Sequence, residues 1–216
     1  MISHSLIRNF FATLIALPSV LHAATVVTPV GATSTSTVGG SRTIDKVIDG
    51  SGLFDVSDPS SVLDDRHVYD TNAYWLSVNG AVGAGTEVLE FDLGGSYDIN
   101  GLWHWKYTRE ADRPIKTFDI SYSTDGGTNW TIPVAATSLG MTDWTTSLGT
   151  REDSYAEFRS FNTLVGATDI RFSNLQNYGD PGYFALFEIR FSAVPEPSAA
   201  LLGGFGLLML LRRRRA

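Results

Sequence analysis

The side chains best suited to acid–base chemistry in the central part of the chain are His67 and His104. They lie on different segments. His104 alternates with Trp103 and Trp105, which predicts that it points away from the buried face of a strand. An enzyme needs a converged acid, base or nucleophile, and neither histidine has such a partner nearby in sequence. We therefore expect no catalysis from either residue.

The carboxylates do not form a general acid–base pair either. Asp64 and Asp65 are adjacent, so their side chains point to opposite sides of an extended chain. Glu110 and Asp112 lie among arginines in the stretch YTREADRPI, which indicates a charged loop with local ion pairs. The chain is therefore predicted not to be an enzyme.

Composition excludes further classes of chemistry. The 216-residue chain has no cysteine, which excludes thiol catalysis, disulfides and Cys-ligated zinc or iron–sulfur centres. Its formal net charge is −7, and four of its basic residues end the chain, so the central part is more acidic still. Such a surface repels nucleic acid, whose binding depends on phosphate neutralisation. We expect no nucleic-acid partner, and a surface better suited to cations and neutral glycans.

Apolar residues recur at every second position in several central segments, a period typical of strands with one buried face. These segments are 89–93, 103–107, 118–122, 170–172 and 187–191. Turn-forming clusters such as Asp125-Gly126-Gly127 separate them, and no long segment has a helical period. The pattern predicts an all-β fold, an antiparallel sandwich.

The C-terminal segment 195–216 combines a short Pro-Glu-Pro motif, an apolar stretch at 199–211 and a basic end. As a helix, the apolar stretch would be about 20 Å long, which is short of the roughly 30 Å hydrocarbon core of a bilayer. It is therefore a poor permanent anchor, and the charged end excludes a core helix. The motif consists of Pro195, Glu196 and Pro197, and the basic end of Arg212, Arg213, Arg214 and Arg215.

This order of parts resembles the PEP-CTERM sorting signal, a tripartite C-terminal tag of many Gram-negative proteins. In that family an exosortase, a membrane cysteine peptidase, recognises the tag. The resemblance implies that the hydrophobic sorting helix inserts transiently into the membrane and that the chain is cut near the motif. It also implies release to the cell surface or the extracellular matrix.

The N-terminal segment 1–23 has the pattern of a secretory signal peptide. Arg8 provides the positive charge, residues 10–17 form the apolar stretch, Pro18 ends it, and Ala23 precedes the expected cut. Export through the inner membrane is therefore predicted. The predicted organisation is a signal peptide at 1–23, one domain at 24–194 and a sorting signal at 195–216.

Five motifs follow one another in the central domain: VIDGSG, YWLS, LEFDLGGSYDINGLWHW, FDISYSTDGGTNW and ALFEIRF. Their order over residues 44–191 resembles the galactose-binding-like β-sandwich of discoidin and coagulation-factor C-type domains and related carbohydrate-binding modules. The resemblance implies a jelly-roll sandwich that binds surface or matrix polysaccharide without catalysis. The chain departs from the family in its long loop at 51–72 and in Ala73, where many members carry threonine.

In these modules, loops at one end of the sandwich bind the sugar. The resemblance therefore implies a glycan-binding set of Arg109, Arg113, Tyr178 and Tyr183. Aromatic rings and bidentate donors are what sugar recognition requires. The alternative for these residues is that Tyr183 packs into the core and the arginines pair with acids. The alternative for the protein is a purely structural matrix or biofilm component. The five tryptophans are expected to lie in the core or to cover the sheet rather than to form ligand platforms.

The resemblance also implies one structural Ca²⁺ between the early Asp-Gly loop and the last strand. Asp49 and Glu188 would supply carboxylates, and the backbone carbonyls of Val47, Gly52 and Asn72 would complete the shell. Calcium binds six to eight such oxygens. The alternative is that Glu188 merely pairs with Arg190 or with water.

Overall fold

The computed structural model describes residues 25–54, 63, 65–69, 72–139, 141 and 151–194. The predicted signal peptide, the sorting segment and half of the 51–72 loop, including Asp64, lie outside the described residues. No helix within the described ranges is long and apolar enough to cross a membrane.

The described chain is built almost entirely from strands. In chain order they are β1 (Thr25–Val27), β2 (Gly31–Ser34), β3 (Leu53–Phe54), β4 (Arg66–His67), β5 (Trp75–Leu76), β6 (Leu89–Trp105), β7 (Ile115–Ser123), β8 (Val134–Ala135), β9 (Ser154–Asn177), β10 (Ala185–Leu186) and β11 (Glu188–Ala193). The other elements are one helical turn, α1 (Ala81–Ala84), and two 3-10 turns (Ile44–Val47 and Ala136–Leu139).

Antiparallel pairing joins these strands in the order β1-β11-β6-β9-β4-β3, with β2 on β6, β7 on β9 and β8 on β7. β5 and β10 form a separate pair. The register between β6 and β9 shifts three times between Asp92 and Gly101, and such bulges bend and twist strands. The predicted all-β antiparallel fold is confirmed.

Apolar side chains from both long strands fill the main core. Leu89, Phe91 and Leu93 are buried on β6, as the period-two pattern predicts. The ring of Phe91 meets those of Phe172 and Phe191 edge-on, with centroids 5.2 and 5.6 Å apart. Edge-to-face contacts of this kind add to the stabilisation from burial alone.

A second, smaller core covers the other face of β6 near its end. It contains Leu53, Tyr74, Leu76, Trp105, Tyr107, Ala185 and Phe187. His104 is paired with Ile189 of the main core, so it points to the main-core face of β6, and its side chain is fully buried. The prediction that His104 faces outward is therefore wrong, because both faces of β6 are covered here: the second core covers the Trp105 side, and the His104 side faces the main core.

Both central histidines are neutral structural residues. Burial lowers the pKa of His104 to about 3 and that of His67 to about 4. The ring of His67 stacks on Phe187 at 3.9 Å, and its Nε2 lies 2.8 Å from the carbonyl oxygen of Ala73. Neither imidazole faces solvent.

The tryptophans divide between core and surface. Trp75 and Trp105 are fully buried. Trp103 is half-buried beside Phe158, and Trp130 is covered by the guanidinium of Arg171 at 3.8 Å. Trp75 and Trp105 are thus core residues, Trp103 and Trp130 pack against side chains of the sheet, and Trp144 lies outside the described residues.

Candidate functional site

Several loops meet at the end of the sandwich where β6 ends and β11 begins. Trp105 pairs with Glu188 of β11 and Ala156 of β9, and His67 of β4 pairs with Ser154 of β9. This register brings together residues 68–69, 106–114 and 151–153, and hydrogen bonds from the backbone N–H groups of Tyr178 and Asp180 to the carbonyl of Asp112 add residues 178–184. We call these four segments the loop end. Loops held by a rigid sheet are where proteins commonly place binding residues.

Arg113 is the centre of an ion-pair network at the loop end. Its Nε donates to Asp180 at 2.9 Å, and its guanidinium lies 3.4 Å from Glu110. The same guanidinium stands over the ring of Tyr183, 4.8 Å from the centroid. Asp180 also accepts bonds from the backbone N–H groups of Gly182 and Tyr183. Arg113 and Tyr183 are therefore brought together and fixed in place.

The electrostatics of this network favour its charged form. Burial acts to raise the pKa of Asp180, but the bonds from Arg113 and the backbone outweigh burial and hold that pKa below its usual value. Tyr183 is partly buried against the second core. The alternative interpretation therefore holds in part. Arg113 is paired with acids, and Tyr183 packs partly inward.

Tyr178 lies next to the Arg113 network. Its backbone N–H donates to the carbonyl of Asp112, as does that of Asp180. The ammonium of Lys116 stands 5.6 Å from the centroid of the Tyr178 ring. The ring is half-buried, so part of it faces solvent at the edge of the loop end.

Arg109 belongs to the same loop but faces a different group of residues. Its guanidinium lies over the buried ring of Tyr74 at 5.4 Å, and Arg42 lies 5.3 Å from the same ring. Its Nη1 donates to Asn72 at 3.3 Å. The structure therefore places Arg109 apart from Arg113 and Tyr183, with Glu110 between them in sequence.

A pocket of about 200 Å³ opens beside Arg109. It is lined by Tyr69, Arg109, Glu110 and Arg151. No local pattern pointed to Tyr69 or Arg151, because they come from distant segments of the chain. The pairing of β4 with β9 and a hydrogen bond from Arg151 N to Thr108 O, at 2.6 Å, bring them together.

The predicted contact between the last strand and the Asp-Gly loop is present. Glu188 is fully buried, and its Oε1 accepts a bond from the N–H of Gly50 at 3.2 Å. The carboxylate also forms an ion pair with Arg190, whose side chain is buried as well. Burial raises the pKa of Glu188 to about 7, although Arg190 and Gly50 oppose that shift. Its Oε2 has no hydrogen-bond partner among the described residues.

Asp49 has its own basic partner. Its carboxylate accepts bonds from Lys46 at 2.7 Å and from the backbone N–H of Ser51 at 2.8 Å. Burial acts to raise its pKa, but these bonds lower it overall. Val47 and Gly52 are buried nearby in sequence, whereas Asn72 is exposed.

Among the described residues, Asp49 and Glu188 are the two carboxylates that the prediction assigns to a calcium ion. Within the described ranges, no group of three or more His, Asp or Glu side chains could hold a metal ion. The remaining ligands would have to be carbonyl oxygens or water, which calcium accepts. The buried Oε2 of Glu188 is suited to such a ligand role, and the calcium site stays a prediction.

These features define a class: an antiparallel sandwich whose loops gather at one end and whose last strand carries a buried glutamate. The model of the F5/8 type C domain family matches residues 31–189. The chain belongs to that family. Comparison with curated proteins gives no significant match.

Solved structures support the fold. The family 32 CBM of C. perfringens NanJ, in complex with galactose, is 14% identical with a TM-score of 0.51, and the match covers 79% of this chain and 99% of that one. C. perfringens ZmpB, with two CBM32 domains and an M60 catalytic domain, is 16% identical with a TM-score of 0.50, covering 77% and 14%. A truncated AlyQ with CBM32 and alginate lyase domains is 17% identical with a TM-score of 0.48, covering 82% and 35%. The chain spans about a third of the truncated AlyQ and about a seventh of ZmpB.

Proposed function

We propose that the protein is an exported, non-catalytic carbohydrate-binding module whose loop end binds surface or matrix polysaccharide. Membership of the F5/8 type C family supports this, as does the fold shared with the NanJ module, which was solved with galactose. The observation that carries the proposal is the set of arginines and tyrosines held at one end of a rigid sandwich.

The geometry of the loop end suits sugar recognition. Sugar hydroxyls need fixed donors, and sugar rings pack on aromatic faces. Arg113 is fixed before any ligand arrives, because Asp180 and Tyr183 hold it on two sides. A group that is already ordered loses little conformational entropy on binding.

We expect a glycan array to show selective binding by the purified protein. Arg113→Ala should weaken the selected glycan at least about tenfold, or about 1.4 kcal/mol, in isothermal titration calorimetry. Its effect on stability should stay within about 1 kcal/mol, because the ion pair is partly exposed. Arg171→Gln, on a strand away from the loop end, is the matched control and should bind normally.

Two results would count against this function. An array without any selective glycan would favour a purely structural matrix protein. Normal binding by Arg113→Ala would move the site away from the Arg113 network.

We further propose one structural Ca²⁺ held by Asp49 and Glu188, with carbonyl oxygens of Val47, Gly52 and Asn72. The buried Oε2 of Glu188 and its neighbour Gly50 support this placement. In a chain without cysteine, such an ion would tie the Asp-Gly loop to the last strand.

Calcium is expected to raise the melting temperature, and a chelator to lower it. An ion that binds only the folded state adds about 2.7 kcal/mol at a hundred times its Kd. Asp49→Ala and Glu188→Ala should each remove the difference between calcium and chelator. If the chelator does not change the melting temperature of the wild-type protein, and elemental analysis finds no calcium, the calcium site is wrong.

We also propose that an exosortase removes the tail during transit to the cell surface or matrix. The proposal rests on the Pro-Glu-Pro motif, the apolar stretch and the basic end of segment 195–216. In a host that carries the peptidase, intact-mass analysis of the surface form should show loss of residues 212–215. A surface form that keeps all four arginines would instead indicate a retained anchor.

A further inference from the structure

A second pocket, of about 190 Å³, opens at the edge of the sheet, where β7 pairs with β9 on one side and with β8 on the other. None of the described residues that line it belongs to the loop end. Lys116 nevertheless connects the two places, because it lines the pocket while its ammonium stands 5.6 Å from the centroid of the Tyr178 ring. The pocket is therefore a neighbour of the loop end along the sheet edge.

An irregularity in β9 turns two amide side chains toward this pocket. Thr117 of β7 pairs with Gln176 of β9. Two residues further along β7, Asp119 pairs with Ser173, which is three residues away on β9. The extra residue on β9 is a bulge, and bulges redirect the side chains around them. Asn174 and Gln176 are exposed and line the pocket, whereas the residue between them is buried in the core.

Several polar groups in the lining are available to a ligand. Among the described residues, the side chains of Thr117, Thr137 and Gln176 form no hydrogen bond. Asp119 accepts one long bond, from the amide of Asn174 at 3.4 Å. Amides and hydroxyls can each donate and accept, and a carboxylate accepts at both oxygens. The pocket therefore offers donors and acceptors of both kinds to a bound molecule.

The lining is neutral overall and has an apolar part. Lys116 brings one positive charge and Asp119 one negative charge, so the pocket favours neither anions nor cations. Phe118 and Ala136 are buried and supply apolar surface. Apolar surface with a few convergent polar groups is typical of small-ligand sites. A neutral sugar ring has matching parts, because its C–H groups are apolar and its hydroxyls both donate and accept.

We propose that this pocket is a further sugar subsite that continues the loop end, so that the protein binds several consecutive neutral units of a polysaccharide. This inference rests on the proposed carbohydrate-binding function. Gln176 and Asn174 lie two and four residues before Tyr178, or roughly 7 and 13 Å along an extended chain, which a short run of sugar rings spans. One sugar unit bound at the loop end alone would leave the donors and acceptors of the pocket to water.

Sugar chains of different length test whether the pocket extends the loop end. Cello-, manno- and β-1,4-galacto-oligosaccharides are titrated into the purified full-length protein as dimers and as hexamers, with calorimetric detection. The three series differ in which hydroxyls are axial. We expect at least one hexamer to bind about tenfold or more tightly than its dimer. A longer chain also offers a single site more places to bind, so only the part of the gain that the pocket variants remove counts.

Variants then locate the gain. Gln176→Ala and Asp119→Ala should each weaken the hexamer by about fivefold, the range of one or two lost hydrogen bonds, and leave the dimer unchanged. Asn162→Ala is the matched control, because it removes an exposed amide from β9 outside the pocket, and it should change neither. Arg113→Ala should weaken dimer and hexamer alike. Should Asp119→Ala fold poorly because it loses the bond from Asn174, Gln176→Ala decides alone.

The outcomes separate this inference from the function on which it rests. If the array shows selective glycan binding but no hexamer binds more tightly than its dimer, the subsite is wrong and the binding module stands. A gain with length that both pocket variants retain in full would overturn its assignment to this pocket. Failure to bind any glycan, on the array or in the titrations, would overturn the proposed function itself.

Discussion

Arg190→Met is expected to lower the free energy of unfolding by about 3–5 kcal/mol, the usual cost of leaving one member of a buried ion pair alone. Glu188 is fully buried and faces Arg190 on the same strand. Without the guanidinium, the carboxylate keeps only the N–H of Gly50. It must then either stay charged in an apolar region or take up a proton, and both lower stability.

Urea denaturation in the presence of a chelator measures this effect without any contribution from calcium. The double variant Glu188→Gln/Arg190→Met should recover much of the loss, because it leaves no buried charge. Glu90→Gln is the matched control, since it breaks the partly exposed Glu90–Arg171 pair and should cost less than about 1 kcal/mol. A loss below 1 kcal/mol for Arg190→Met would mean that water or movement compensates the charge.

Gly52→Ala is expected to cost about 2–3 kcal/mol, because a methyl group has no room there. A Cβ at this position would lie 2.0 Å from Nε2 of His67. The imidazole cannot move aside, since it stacks on Phe187 and lies within hydrogen-bond distance of Ala73 O. The loop after residue 49 would therefore have to separate from the second core.

Thermal unfolding reports this change as a fall in Tm of roughly 2–4 °C for each kcal/mol in a chain of this size. Gly83→Ala is the control, because a Cβ there meets no atom within 4 Å. It should leave Tm unchanged or raise it slightly, since alanine is the better helix former. Equal Tm values for both variants would show that the His67 ring can move.

The long strands could be predicted because each carries its own alternating pattern. Alternation at 89–93 shows which side chains of β6 enter the main core, and Ile189 and Phe191 do the same for β11, whereas Phe187 joins the second core. The orientation of Glu188 follows from the same alternation. Local alternation does not reveal that a second core covers the Trp105 face of β6. For that reason the sequence pattern predicts the wrong orientation for His104.

The loop end could be predicted only in part. The turn and charge pattern around Arg113 indicated a loop with ion pairs, and the structure shows that loop with Asp180 as the partner. Tyr69 and Arg151 could not be foreseen, because β4 is only two residues long and its pairing with β9 spans more than eighty positions. Contacts over such distances depend on the whole sheet rather than on any local pattern.

The first and last described strands lie side by side, with Thr25 opposite Ala193. Ala193 is level with Ile99 on β6, whereas the loop end starts beyond Trp105, which is level with Glu188. At about 3.3 Å per residue, the two levels are roughly 17 Å apart along β11. Both ends of the domain therefore leave from the side opposite the loop end. A tether attached to either end of the domain would therefore act as a stalk. It would leave the loop end accessible to polymers around the protein.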